Sequence, residues 1–501
     1  MSLLLGYDVG SSSVKATLMD ASTGAVLAAA TSPERELEIA APHPGWAEQH
    51  PELWWDHVVR ATRKINSAAQ FDSGDIKAIG ISYQMHGLVL VDSNRKVLRP
   101  AIIWCDSRAV DVGRAAAEKI GRQKCLERLF NLPGNFTASK LKWVMQNEPE
   151  VFSKVHKMML PGDWIAMKMT GEVVTTDSGL SEAIMWDFQN DDIARFVIDA
   201  LGIPERLIAE PVPTFAVQGE LQPDAAQQLG LKPGTKVAYR AGDQPNNALS
   251  LGVLNTGQIA VTAGTSGVVY GVSDKKKYDP KSRVNIFLHV NHQPETPRYG
   301  VLLCVNGTGI LNSWLKHNVA ASGEESLSYD RMNAIASEVP VGSEALVILP
   351  YGNGAERTLE NKDLGASVDR WNFNIHTKAH FFRAAQEGIV FALNYGLDIM
   401  RSIGLELTTV RAGYANMFLS PLFAEAFATL TGATVELYNT DGSQGAARGA
   451  GIGVGIYHSA DEALVGLKPL RTIHPNDKLT DAYLEAYNNW KNILKNKLER
   501  T

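Results

Sequence analysis

The chain opens on a pattern that returns in its second half: an apolar run LLLGYDV, a small polar GSSS, then the alternating VKATLMD. This predicts strand, turn, strand over residues 3–20. The same grammar recurs in GQIAVTAGTSGVVYGV (residues 257–272), where two β-rich runs flank a turn of Gly264, Thr265, Ser266 and Gly267. Two similar hairpins predict two domains of similar construction. Between them, PELWWDHVVRATRKI sets Leu53, Trp54, His57, Val58 and Ala61 at helical spacing behind Pro51, predicting an amphipathic helix with core tryptophans. AIGISYQMHGLVLVD (residues 78–92) and RPAIIWCDSR (residues 99–108) read as strand-like stretches ending in polar residues, where α/β proteins place their chemistry. TVRAGYANMF, SPLFAEAFATLTG and SQGAARGAGIGVGIYHS read as a glycine-containing turn feeding helices. The Pro- and Gly-containing stretch LKPGTKVAYRAGDQPNNALSLG supplies the expected boundary, dividing an N-terminal domain, residues 1–252, from a C-terminal domain, residues 253–501.

Composition narrows the function classes. At 501 residues, with 45% hydrophobic and 20% charged positions, the chain has enough core for two or three packed domains. Lys plus Arg is 48 against 54 Asp plus Glu, a net charge of −6, and no basic block exists to neutralise a nucleic-acid backbone. Three dispersed cysteines spell neither a disulfide framework nor a zinc site. No apolar run approaches the ~20 residues that span a bilayer, and MSLLLGYD is too short for a signal peptide, so no membrane partner and a cytoplasmic location are expected. A homodimer is the base-rate expectation for such an enzyme.

Within this frame, DVGSSSVK combines Asp8 at a strand end with Gly10 and the hydroxyls of Ser11, Ser12 and Ser13, a set able to hold a polyphosphate and its Mg2+. Alone it reads equally as a hairpin with a polar tip. The second loop, at Gly264 and Thr265, suggests that two loops grip one phosphate chain. No GxxxxGK[ST] stretch occurs, and the glycines of GAGIGVG lack Rossmann spacing, which predicts close helix packing there. In RAGDQPNN, Asp243 has small neighbours that would admit a substrate to its carboxylate, a candidate general base; an aspartate bonding its own turn is the alternative. QMHG and WCDSR bring Gln84, His86, Trp104 and Asp106 near strand ends, suited to a polyhydroxylated ligand. Taken singly, Asp106 reads as well as an ion-pair partner of Arg108.

In order and content these motifs resemble the FGGY family of carbohydrate kinases over nearly the whole chain. DVGSSSVKATLMD resembles its first phosphate motif, QMHG with WCDSR its pentulose-binding pair, AGDQ its catalytic aspartate segment and AGTSG its second phosphate motif. PGWAEQHPELWW, GNFTASKLKWVMQNEPE, AERTLENKDLGA and RAAQEGIVFAL resemble further family segments. The resemblance implies an α/β fold of two actin-like, ribonuclease-H-like domains flanking a catalytic cleft. It implies a ketose held by Gln84, Met85, His86, Trp104 and Asp106, with Asp243 as base and Asp8 organising Mg2+ through water. ATP would be held by Gly10, Ser11, Ser12, Gly264 and Thr265, with Gly309, Gly413 and Asn416 toward the nucleoside. Where the family often carries a run of glycines, this chain reads RAGYAN, which leaves nucleotide preference open. The expected reaction is ATP-dependent phosphorylation of D-xylulose to D-xylulose 5-phosphate. Ribulose, gluconate, sedoheptulose or a deoxy-ketose are the alternative substrates, and a sugar- or nucleotide-binding sensor without catalysis is the alternative class.

Overall fold

Both predicted hairpins form, each at the centre of its own sheet. The computed structural model describes residues 1–322 and 325–500. It separates into two compact units, Met1–Leu254 with Ile286–Gly300 and Thr440–Leu467, and Asn255–Asn285 with Val301–Asn439 and Lys468–Thr501. The first break falls two residues beyond the expected boundary. The expected single cut misses that residues 286–300 and 440–467 return to the first unit, for a packing reason given below.

The first unit is built on β1 (Leu3–Val9), β2 (Val14–Asp20), β3 (Val26–Ser32), β4 (Ile76–Tyr83), β5 (Phe215–Glu220) and β6 (Lys236–Gly242). They run in the order β5–β6–β4–β1–β2–β3. The β1–β2 and β2–β3 pairs are antiparallel, whereas β1, β4 and β6 are mutually parallel neighbours. Near-continuous burial along β1 and β4 is what a strand covered on both faces requires. On one face the helix Pro51–Ala68, entered through proline as predicted, packs on β2 and β3, and the helix Pro161–Thr170 packs on β4 and β6.

The other cover is the helix Gly442–Gly453, which packs on β1, β4 and β6. Its approach is set by missing side chains: a Cβ on Gly6 would lie 1.9 Å from the Ser443 carbonyl oxygen, and one on Gly80 1.9 Å from that of Ala446. Only glycine in the strands lets this helix lie so close. The close packing read from its glycines is therefore present, against the sheet of the first unit. This contact carries residues 440–467 back across the expected domain boundary.

In the second unit, β7 (Gln258–Ala263), β8 (Gly267–Ser273), β9 (Thr409–Gly413), β10 (Thr434–Tyr438) and β11 (Arg471–Ile473) run in the order β8–β7–β9–β10–β11. The central strand again pairs antiparallel with its hairpin partner and parallel with the next. The helix Lys378–Ser402, containing RAAQEGIVFAL, is buried nearly all round, as expected of a central core helix.

One strand reading changes. The stretch AIGISYQMHGLVLVD is not continuous: β4 stops at Tyr83, residues 84–87 form a turn, and a short strand Val89–Val91 follows. His86 has φ +64°, a left-handed conformation that ends the ladder and re-aims its side chain.

Candidate functional site

Strand register brings the first group of candidates together. Asp8 on β1 stands beside Ser82 on β4, which stands beside Ala241 on β6. One residue further on, Val9, Tyr83 and Gly242 are aligned. The carboxyl ends of three adjacent parallel strands therefore deliver Asp8, the Gln84–Gly87 turn and Asp243 to one edge, where open α/β sheets bind ligands.

Asp8 Oδ1 accepts a hydrogen bond from Ser82 Oγ at 2.8 Å. Burial raises its carboxyl above the usual range, opposed by Ser82 and Lys15, while the Asp441 charge adds to the rise. Gly442 touches this carboxylate, since a Cβ there would sit 2.4 Å from Oδ2. Asp243 is the first residue of the helix Asp243–Ser250, and burial, reinforced by the charge of Asp8, pushes its carboxyl up to about 7. Glu182, which is 1% exposed, is raised well above the normal carboxyl range by burial, with the Asp243 and Asp163 charges contributing.

His86 is held from several sides. Its backbone N–H donates to Glu182 Oε2 at 3.2 Å, and its Nδ1 lies 3.1 Å from the Glu182 carbonyl, which can only accept and so selects the Nδ1–H form. Its ring meets Phe136 edge-on at 4.7 Å and Phe287 at 5.3 Å. Its carbonyl accepts from Lys140 Nζ at 2.8 Å. Met85 is buried against Gly242, where a Cβ would meet Met85 Cγ at 2.5 Å. Gln84 is buried, with Nε2 3.5 Å from Gln49 Oε1 and its own Oε1 unpartnered among the described residues.

The WCDSR pair divides. Trp104 is 54% exposed and its Nε1 donates to Ser11 Oγ at 3.2 Å, tying it to the first turn. Asp106 is 0% exposed and its carboxylate is filled. Oδ1 accepts from the Arg108 backbone N–H and Nε, and Oδ2 from Ala47 N at 2.6 Å and from Arg108 Nε and Nη2. Arg108 also pairs with Glu48 at 2.7 Å and stacks 3.7 Å from the Trp46 ring centroid. The expected pocket-lining role of Asp106 is thus corrected to a structural one. A carboxylate taken wholly out of water needs a full set of donors, and Arg108 with the PGWAE segment supplies them.

The first turn is compact: Gly10 N donates to the Ser13 carbonyl at 3.0 Å, and the Ser11 carbonyl accepts from Gln49 Nε2 at 2.7 Å. Among the described residues no group of three His, Cys, Asp or Glu side chains is arranged to hold a metal ion. Asp8 still suits Mg2+, which is commonly held by one or two carboxylates plus water and substrate phosphates. Its carboxylate lies in a cradle that a Cβ on Gly442 would fill, with Asp243 and Asp441 charges nearby that a cation would relieve.

The second unit collects a different set. Gly264, Thr265, Gly309 and Asn416 line one cavity of about 520 Å³, together with Ser313 and Asp330. The Gly264 carbonyl accepts from Gly309 N at 2.8 Å and Thr308 Oγ at 2.9 Å, so the AGTSG turn is latched to the helix Gly309–Asn318. Gly413 ends β9 and is not among the residues lining this cavity. Arg411 of RAGYAN is spent on Glu436 at 3.0 Å. Ser313, Asp330, Glu182 and Lys140 had no motif to announce them as site residues. Lys140 lies within GNFTASKLKWVMQNEPE, whose resemblance to the family assigns it no role.

The family model for the N-terminal domain of the FGGY family of carbohydrate kinases matches residues 3–250, and that for the C-terminal domain matches residues 259–453. The xylulose kinase of Escherichia coli (strain K12) is 30% identical, over 93% of this chain and 92% of its own. The solved structure of a xylulose kinase from Rhodospirillum rubrum superposes with a TM-score of 0.88 at 26% identity, covering 99% of this chain and 98% of its own. A gluconate kinase from Lactobacillus acidophilus shares the fold with a TM-score of 0.88 at 21% identity, over 99% of this chain and 98% of its own.

Proposed function

Because the chain belongs to the FGGY family of carbohydrate kinases, with two ribonuclease-H-like α/β domains and phosphotransfer to a sugar as its activity, we propose that it phosphorylates D-xylulose at the 5-hydroxyl with ATP. The sugar is suggested by the xylulose kinases similar to it over nearly their full length. The reaction chemistry is supported chiefly by the register that brings Asp8, His86 and Asp243 to one sheet edge.

In this reading Asp243 accepts the proton of the sugar's terminal hydroxyl as the phosphoryl group is transferred. A carboxyl near 7 is well matched to that task at neutral pH, where the basic form is populated and still binds a proton usefully. Gln84, Met85, His86 and Trp104 contact the ketose. His86, with its Nδ1 held against the Glu182 carbonyl, presents its ring to the sugar. Gly10, Ser11 and Ser12 in the first unit, and Gly264 and Thr265 in the second, supply N–H and hydroxyl donors to the phosphates. In the second unit Gly309 and Asn416 line the same cavity as Gly264 and Thr265 and would face the nucleoside, with Gly413 at the end of the neighbouring strand. Asp8 is the residue that would hold Mg2+, which when bound would supply positive charge against that of the phosphates.

Asp243→Asn keeps the shape and removes the acceptor. Turnover in a coupled ADP-release assay should fall by at least ~10², with sugar affinity by calorimetry largely kept. Near wild-type turnover would remove Asp243 from the mechanism. A panel of ketoses, polyols and aldonates, ranked by kcat/KM, decides the substrate. A preference for gluconate over D-xylulose would overturn the sugar named here.

A further inference from the structure

Lys140 is a buried cation bound to the QMHG turn, and nothing in the phosphoryl-transfer chemistry uses it. It lies on the helix Thr137–Asn147 and is 0% exposed. Its Nζ donates to two backbone carbonyls from separate segments, His86 O at 2.8 Å and Ile103 O at 2.9 Å. One carbonyl belongs to the strained residue whose ring is offered to the sugar, the other immediately precedes Trp104. The two segments that carry the candidate ketose contacts are therefore joined through a single ammonium group.

We propose that Lys140 is a positioning residue for the sugar. By bridging the His86 and Ile103 carbonyls it sets the spacing between the QMHG turn and the WCDSR turn, and with it the fit of the ketose. This rests on the sugar-kinase reading above. The left-handed backbone of His86 needs outside support, and Lys140 grips its carbonyl while Glu182 grips its N–H. Burying an ammonium is costly, and an apolar side chain of similar length would fill the same space with a smaller penalty. The charge balance around Nζ is close. Burial brings the ammonium down to about 7, Asp106, Cys105 and Glu182 favour the charged form, and Arg108 opposes it. Both states still carry at least two N–H donors, so the bridge itself persists through the titration.

The test begins with the wild-type enzyme on the sugar panel. If it phosphorylates none of the sugars, the kinase reading fails, independently of Lys140. With the sugar of highest kcat/KM, Lys140→Met should raise the sugar KM by ~10-fold or more, the loss of hydrogen bonds from a charged donor. The kcat and the KM for MgATP should stay within about twofold, since only sugar binding is touched. Lys140→Gln, which retains two amide donors, should recover part of the sugar KM. A sugar KM within about twofold of wild type for Lys140→Met, or an ATP KM that rises in parallel, overturns the proposal. So does a Lys140→Gln variant no better than Lys140→Met. Should Lys140→Met fail to fold, Lys140→Gln alone decides, with a raised sugar KM and an unchanged ATP KM as the supporting result. Failure of both to fold makes Lys140 a folding residue and ends the proposal.

Discussion

Asp106 and Asp243 present two fates of an aspartate in the first unit, one in the turn at Trp104–Arg108 and one at the end of β6. Both follow strand-like sequence and both carry polar neighbours, yet their surroundings are opposite. Asp106 is wholly buried and saturated by Arg108 and Ala47, so its charge is fully matched. Asp243 has no cation among the described residues to offset its burial, and burial, reinforced by the charge of Asp8, pushes its carboxyl up to about 7. A matched carboxylate is inert scaffolding, whereas one buried without a cation and near a like charge is ready to take a proton. Chemical availability follows from the partner, and residue type alone does not reveal it.

That contrast breaks most sharply at Asp106. Asp106→Asn takes away the carboxylate that binds Arg108 most closely, leaving this buried guanidinium with Glu48 alone, and should cost about 3 kcal/mol of stability in denaturant melts. If the melt is unchanged while the sugar KM rises, Asp106 contacts the sugar and is not a structural residue.

Asp243→Asn should move stability the other way, and only at higher pH. The folded carboxyl is raised, so the native state binds its proton more tightly than the unfolded chain does. The stability this contributes is complete below the unfolded carboxyl range, near ~3.9, and is lost as pH rises through about 7. Asn carries no such loss. The variant should therefore melt above wild type at pH 8, and the gap should narrow steadily toward pH 5. A gap that widens on acidification would contradict a carboxyl raised by burial and the Asp8 charge.

The smallest effect falls beside Asp106. Cys105 is exposed, but partial burial of its thiol and the Asp106 charge raise its pKa, while Lys140 pulls the other way. Its alkylation at pH 8 should be slower than that of a free small thiol, and Cys105→Ser should change stability by no more than about 0.5 kcal/mol. Fast labelling would show that the charge balance around this turn differs from the one described.

Legibility in the sequence followed the range of the interaction. The hairpins, the Pro51 helix and the glycine packing of residues 442–453 were readable because periodicity, proline and small-residue spacing act locally. The break after Tyr83 was not, because His86 takes its left-handed conformation with support from Glu182 and Lys140, 96 and 54 residues away in sequence. The return of the Gly442–Gly453 helix to the first unit was hidden for a similar reason. Glycines predict that something comes close, but they do not say which sheet it approaches.

What the sequence by itself determined was the pair of hairpin grammars, the α/β class, the family, and the candidacy of Asp8 and Asp243. Each of these is written in short-range order along the chain. Only the tertiary structure decided that register brings those two aspartates to one sheet edge, that Asp106 is consumed by Arg108, and that Lys140 joins two turns. The physical reason is that desolvation, ion pairing and hydrogen-bond saturation depend on distances between residues far apart in the chain. Packing sets those distances.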